Sequence, residues 1–300
     1  MKNKIPLAII SADIHLREDV PVSRIDDYWQ AQENKIKWLS ALQESLKCPI
    51  LDGGDLFHKW KSSPRLLAWA INNIPKEFNT VLGNHDMPNH SIELFDKSNM
   101  AVLEAAGRVK CKDGDFYTGK ELCVYRLNYG DSDKMFSFLR SWKGKKILLA
   151  HMMCWQTEPY PGADRKGNFK SIIRKCGKDF DLIVTGDNHE SFCYEYEKGK
   201  WLVNPGSMMR MTIAQKDFKP RVYIWYSDGS LEEKYYPIQS NVFIDKEDSV
   251  QRDDRIDAFV SRLKDNVEMT LSFEKNLEIY IDKNEIEEGV KSIIKEVVYV

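Results

Sequence analysis

Along the chain, apolar residues first alternate between strand-length runs and helical spacing, and later fall into paired strands. Pro6–Ser11 is a short apolar run of the length of a buried strand. Tyr28–Leu46 instead spaces Trp29, Ile36, Leu39, Leu42 and Leu46 as on one face of a helix. Cys48–Leu51 is strand-like again and runs into Gly53-Gly54. Ser63 before Pro64 carries the chemistry of an N-cap and a first helical turn, which predicts a helix to about Asn73. Phe78–Leu82 reads as a third strand, and Ser91–Ala106 as one helix stopped by Gly107. Asp131–Trp142 reads as a helix, and Lys146–Ala150 and Leu182–Thr185 as strands. Beyond residue 190, Ser191–Glu197, Trp201–Asn204, Arg221–Tyr226 and Leu231–Tyr236 are strand-like, with turns at Lys198-Gly199 and Ser227-Asp228-Gly229. The pattern predicts a mixed α/β domain over residues 1–240. A small αβ appendage over 241–300 follows, built from Arg252–Lys264, Asn276–Ile281 and Glu285–Val297, and suited to a cap or a partner-binding segment.

Composition sharpens this in three places. With 42% hydrophobic and 30% charged residues, the 300-residue chain is not a mostly disordered one. The net charge is only −2, but residues 241–300 hold 15 acidic and 9 basic side chains, leaving 31 and 35 of the 46 and 44 for residues 1–240. A nucleic-acid surface is therefore expected to be local and in the first part. No run approaches the roughly 18 apolar residues of a membrane span, and the apolar run in MKNKIPLAIISADIH is too brief for a secretory leader. The expectation is a cytoplasmic protein with no membrane partner. The six cysteines are scattered without a CxxC pair, which predicts reduced, mostly buried thiols rather than a zinc ribbon or a disulfide framework.

The chemistry gathers where strands end. Asp13-Ile14-His15, Gly54-Asp55, Gly83-Asn84-His85-Asp86, His151 and Gly186-Asp187-Asn188-His189 each follow a strand or close one. Ligands of open α/β sheets sit at that edge. Singly, Asp-x-His or Gly-Asp is ordinary turn chemistry, and a lone His151 in an apolar run is more often a core residue. Five such ends in this order form one site. Carboxylate, amide and imidazole without thiolate favour manganese, iron or zinc in mixed nitrogen and oxygen coordination.

This order resembles the calcineurin-like metallophosphoesterase superfamily over residues 13–189. The resemblance implies two mixed β-sheets packed as a sandwich and flanked by helices, with two metals at the strand ends. It implies Asp13, His15, Asp55 and His189 on the first metal, Asp55 as the bridge, and Asn84, His151 and position 187 on the second. It makes His85 the catalytic histidine with Asp86 orienting it. Two metals would clamp a phosphoryl group and make hydroxide from a bridging water for in-line attack. The family's last motif is usually Gly-His-x-His; Asp187 stands here where the first imidazole is expected. A carboxylate there shifts the expectation towards Mn2+, or Mg2+, and away from Zn2+, with Fe2+ also accommodated.

Gly54-Asp55-Leu56-Phe57-His58, followed by Ser63-Pro64, is similar to the SbcD-like DNA double-strand-break-repair nucleases, partners of SMC-type (SbcC-like) ATPases. Asn204-Pro205-Gly206-Ser207 is similar to a segment after their last metal motif. The resemblance implies an exo- or endonuclease acting on DNA ends, with His58 on the DNA phosphate and an ATPase or a second copy of the chain as partner. The short acidic tail departs from the longer partner-binding regions of those subunits. Two other readings stand beside this one: a stand-alone phosphatase or phosphodiesterase on small-molecule or protein substrates, and a non-catalytic scaffold on the same fold. Several features point elsewhere than to chemistry. The P-loop-like Gly114–Glu121 has Glu121 where Ser or Thr must bind magnesium. His90 reads as a loop residue, Cys154 as packing, and Trp29, Trp38 and Trp69 as core.

Overall fold

The computed structural model describes residues 4–111, 116–118, 122–131, 143–158 and 164–244. The chain divides into two compact units, Met1–Phe243 and Ile244–Val300. The elements expected after residue 245 lie outside the described residues, as does all but Asp131 of the helix expected over Asp131–Trp142.

Among the described residues, twelve strands form two six-stranded sheets. The first contains β1 (Pro6–Ser11), β2 (Ile50–Asp52), β3 (Phe78–Thr80), β4 (Val109–Lys110), β11 (Arg221–Tyr226) and β12 (Leu231–Tyr235), in the order β12-β11-β1-β2-β3-β4. β1 to β4 are parallel, and β11 and β12 add antiparallel strands at one side. The second contains β5 (Phe116–Thr118), β6 (Leu122–Leu127), β7 (Lys145–His151), β8 (Leu182–Gly186), β9 (Phe192–Glu197) and β10 (Lys200–Asn204), in the order β5-β6-β7-β8-β10-β9. Its centre, β6-β7-β8-β10, is parallel and its two outer strands are antiparallel. This is the expected α/β sandwich of two mixed sheets. Within the P-loop-like segment, Phe116–Thr118 is a strand paired antiparallel with Leu122–Val124.

The period-2 alternation of the strands separates three apolar layers. Ala8 and Ile10 of β1 meet Ile147, Leu149 and Val184 of the other sheet, so this cluster is the core between the sheets. Ile9 faces the other way and packs with helices α1 (Tyr28–Leu46), α2 (Pro64–Asn73) and α3 (Asn99–Ala105). Leu148 and Ala150 likewise pack with α4 (Phe169–Cys176) on the far side of the second sheet. Trp29, Trp38 and Trp69 pack against the first helical layer, as their spacing suggested. No disulfide joins the cysteines among the described residues, and Cys154 is buried among the α4 contacts.

Local chemistry sets the helix ends. Asp27 accepts the Gln30 N–H at 2.9 Å to start α1, and Ser63 accepts the Leu66 N–H at 3.2 Å to start α2. The single helix expected over Ser91–Ala106 is broken: Ile92–Lys97 is a 3₁₀ segment, and Ser98 caps a new start by accepting the Ala101 N–H. A serine able to cap wins over an unbroken hydrophobic pattern.

Candidate metal centre

The carboxyl ends of β1, β2, β3, β7 and β8 converge on one edge, and every strand-end residue singled out above is there. The turns after β1 and β2 run side by side: the Asp13 N–H donates to the Gly54 carbonyl (3.0 Å), His15 N–H to Asp55 (2.9 Å), and His58 N–H to Leu16 (3.0 Å). Close approach requires glycine at two points. A Cβ on Gly83 would lie 1.9 Å from Asp55 Oδ1, and one on Gly54, at φ +100°, would lie 2.5 Å from His151 Nδ1. Asp13, His15, Asp55 and Asp187 all have φ between 50° and 79°. Such backbone costs on the order of 1–3 kcal/mol per residue and collects where function requires a fixed side-chain direction.

The donor atoms fall into two sets that share a corner. His15 Nε2 is 3.0 Å from His189 Nε2 and 3.7 Å from Asp55 Oδ2. His151 Nε2 is 3.1 Å from Asn84 Oδ1, 3.6 Å from the same Asp55 Oδ2, and 3.9 Å from Asp187 Oδ1. Metal–ligand bonds of about 2.0–2.2 Å imply donor–donor edges of about 3.0–3.5 Å. These separations approach that range, with Asp55 Oδ2 common to both sets. Ligand atoms of Asp13, His15 and His189, and of Asp13, Asp55 and His151, come within 4.8 Å of one another. His15, His58 and His85 form a third such group.

Hydrogen bonding shows what these atoms lack. His151 Nδ1 faces the Gly53 carbonyl at 2.7 Å and must donate to it, so Nε2 carries only a lone pair. That lone pair faces the Asn84 carbonyl oxygen, also an acceptor, at 3.1 Å. Two acceptors at this distance repel unless a cation lies between them. Asp13 Oδ2 and His15 Nδ1 are buried without a hydrogen-bond partner. Burial pushes the Asp13 and Asp55 carboxyls well above the usual carboxylate range and lowers His15, with His151 and His189 pushed down to about 4. Neutral imidazoles and carboxyls poised to ionise beside positive charge are the donor set a divalent cation takes.

The model for the calcineurin-like phosphoesterase superfamily domain matches residues 7–220. The chain belongs to that superfamily. The superfamily typically binds two divalent metals and fits phosphoester hydrolysis, and the donor set above is a candidate site for such a pair. Several solved structures are similar to this chain at low identity. A Thermus thermophilus protein, TT1561, is 12% identical, with 77% of this chain and 99% of that one covered and a TM-score of 0.49. A Staphylococcus aureus protein described as a 5′-nucleotidase is 14% identical over 85% of this chain and 58% of its own, with a TM-score of 0.48. The Haemophilus influenzae NAD nucleotidase is 13% identical over 77% of this chain and 49% of its own, with a TM-score of 0.38. This chain thus spans about half the length of the two nucleotidases. No curated protein matches the chain. Among the described residues, no helix is long and apolar enough to cross a membrane.

One expected role changes. Asp86 does not orient the His85 imidazole. Its two oxygens accept backbone N–H groups from Asp55, Phe57 and Gly83 at 2.9–3.1 Å, which ties the Gly54–Phe57 turn to the Gly83–Asp86 turn. The His85 ring is held instead by Nδ1 donating to the His58 carbonyl at 2.7 Å. His58 stacks on His85 with ring centroids 5.4 Å apart, and its own Nδ1 is buried and unpartnered. Sequence reading also missed the rim. His90 donates from Nδ1 to the Asn84 carbonyl, and Tyr129 lies 5.9 Å from His90 and 6.2 Å from His151. His90 ends the short 3₁₀ turn Pro88–His90 and Tyr129 lies in a turn after Leu127, and no motif marks either.

Asn204-Pro205-Gly206-Ser207 acts on the backbone. Asn204, fully buried, donates to the carbonyls of Asn188 and Glu190 on either side of His189, and accepts from Thr185. It clamps the turn that carries the last imidazole.

Proposed function

We propose that this protein is a two-metal phosphodiester hydrolase acting on DNA, with Mn2+ as the preferred ion. The observation that carries the metal chemistry is the Asp55 oxygen shared between two sets of lone pairs. Asp13, His15, Asp55 and His189 would hold one ion, and Asp55, Asn84, His151 and Asp187 the other. When bound, such a pair neutralises phosphoryl oxygens and activates a water for in-line attack.

The chain's own groups do the rest. His85, fixed by its Nδ1–H on the His58 carbonyl, presents Nε2 to the substrate; as an imidazolium it gives that second N–H proton to the departing oxygen or donates it in a hydrogen bond to a phosphoryl oxygen. His58, half-buried and with burial pushing its imidazole down to about 4, is neutral and can offer one N–H to a phosphate oxygen. Support for DNA over a small monoester comes from the surroundings of His58: the clefts that open beside it are lined by Lys59 and Lys61, cations suited to phosphates beyond the reacting one.

The test compares three substrates with Mn2+ present: labelled linear DNA, a chromogenic phosphodiester and a phosphomonoester. Degradation of the DNA is expected. Rapid turnover of the monoester with intact DNA would overturn the nuclease reading and leave a phosphatase. Metal analysis showing no bound ions would favour the scaffold.

A further inference from the structure

The loop beyond His58 is built more firmly than a surface turn needs to be. Its backbone is fastened to one residue, Asn99 at the start of α3, which is 5% exposed. The Asn99 N–H donates to the Trp60 carbonyl (2.8 Å), and its side-chain amide donates to the Lys59 carbonyl (3.0 Å) and Ser62 Oγ (2.8 Å). The Asn99 side-chain oxygen accepts the Ser62 N–H at 3.0 Å. With the backbone of 59–62 held this way, the Lys59 and Lys61 side chains are exposed and Trp60 is half-buried.

Two clefts adjoin this loop, and both are lined by His58, Lys59 and Lys61. They differ in charge. The cleft of about 350 Å³ also contains Glu18 and Asp19, with Arg17 already paired to Asp19. The cleft of about 410 Å³ has no carboxylate in its lining, which also includes Trp60, His85 and His90 beside Asn84, Met87 and Asn89. It opens directly from the His58–His85 pair and has the size of a small-ligand pocket. A phosphate alone requires the lysines but has no use for an indole. A nucleotide requires both.

We propose that the acid-free cleft is a nucleotide subsite, in which Trp60 stacks on the base next to the scissile phosphate and Lys59 and Lys61 hold the following phosphate. This inference rests on the DNA reading above. It commits the substrate to a nucleotide strand whose base is free of its neighbour at that position, as at a frayed or single-stranded end. Trp60, Lys59 and Lys61 would be binding residues that select the substrate.

The test uses the full chain and a fluorescein-labelled single-stranded oligonucleotide, read by anisotropy with metal chelated, beside an oligonucleotide of the same length carrying a run of abasic residues. Wild type should bind the abasic strand roughly ten-fold more weakly. Trp60→Ala should lose that same factor on the intact strand and nothing further on the abasic one, while Trp60→Phe keeps most of the affinity. Lys59→Ala with Lys61→Ala should flatten the dependence of log affinity on log salt by about 0.7 per phosphate contact removed. Equal losses on both strands, or none, would overturn the subsite. Cleavage of intact DNA by wild type, measured in parallel with Mn2+, keeps the two ideas apart. If DNA is cleaved and Trp60→Ala shows no base-dependent loss, only the subsite falls. If a chromogenic diester is hydrolysed and DNA is neither bound nor cut, the nuclease reading fails and takes the subsite with it.

Discussion

Two places in this molecule crowd like charges or lone pairs out of water, and they are finished in opposite ways. Behind the metal centre, Arg24, Lys35 and Arg210 lie together, each at most 7% exposed. All three are satisfied from within the chain. Lys35 donates to the Met208 carbonyl, Arg24 to the Arg210 carbonyl and to Asp26, and Arg210 to the carbonyls of Lys216 and Gln239. At the strand ends, by contrast, Asp13 Oδ2 has no partner, and the His151 lone pair faces the Asn84 oxygen. Met208 joins the two regions, its N–H on the Asp13 carbonyl and its own carbonyl on Lys35. Charge and burial alone therefore do not mark a site. Single unpartnered atoms do not either, since the buried hydroxyls of Tyr28 and Tyr236 beside the basic cluster also have none; what sets the strand ends apart is that carboxylate, amide and imidazole lone pairs from several turns converge there with no donor between them.

The largest test of this contrast is His85→Ala. His85 belongs to the unfinished region but is not placed among the ligands. Turnover should fall by roughly 10²–10⁴, while titration still finds two bound ions. A variant near the wild-type rate would remove His85 from the mechanism.

Metal addition should come next in size. An ion held at about 100 times its Kd stabilises the native state by about 2.7 kcal/mol, so Mn2+ should raise the melting temperature and a chelator should reverse the rise. Asp55→Ala should weaken both ions at once, since one of its oxygens serves both donor sets. A melting temperature indifferent to Mn2+, Mg2+, Fe2+ and Zn2+ would break the comparison, because the strand ends would then be as complete as the basic cluster.

The finished region has its own signature in pH. Burial, then Arg210 and Arg24, push Lys35 down to about 7, with Asp26 opposing and the Tyr236 ring 5.8 Å away. An unfolded chain would hold that proton up to about 10.5. Between these values the unfolded state binds more protons, so this group makes stability rise with pH, by at most about 1.4 kcal/mol per pH unit. Below about 7 the lysine is charged in both states and adds no slope. Denaturant unfolding at pH 6 to 10 should show the rise in wild type, and Lys35→Met should remove it. An identical slope in the variant would mean that Lys35 is not desolvated in solution.

How much of this was written along the chain depended on what kind of fact it was. The strands Pro6–Ser11 and Arg221–Tyr226 and the helix Tyr28–Leu46 have the bounds read from periodicity, since a buried face leaves an unambiguous repeat. The strand-end residues were legible because each follows a strand or a glycine, and parallel strands deliver such ends to one edge. Helix α4 and strand β6 were not assigned from sequence, although Asn168 caps α4 by accepting the Lys170 N–H and Gly177 follows its end; both are short segments with little periodicity to read. The role of Asp86 was misjudged for another reason: which atom accepts which N–H depends on two turns 30 residues apart meeting, and no local pattern records that. His90, Tyr129 and the Asn99 clamp were invisible on the same ground.

The smallest expected effect concerns the residue that fits neither side of the comparison cleanly. Asp187 is half-buried rather than enclosed. Its backbone N–H donates to Asp13 Oδ1 at 3.0 Å, and its φ of 79° is a conformation glycine adopts at less cost. Asp187 could therefore serve through its backbone, through its carboxylate, or through both. Asp187→Gly separates these, because it keeps the N–H and relieves the backbone while deleting the carboxylate. If Asp187 ligates the second ion, the glycine variant should be as stable as wild type without metal, or more stable by up to about 1 kcal/mol. It should also bind one of its two Mn2+ ions about ten-fold more weakly, with Asp13, His15 and His189 still holding the other. Calorimetric titration of Mn2+ into metal-free protein reads both constants. Two ions at unchanged affinity would assign Asp187 to the backbone alone, and the second ion's protein ligands would be Asp55, Asn84 and His151.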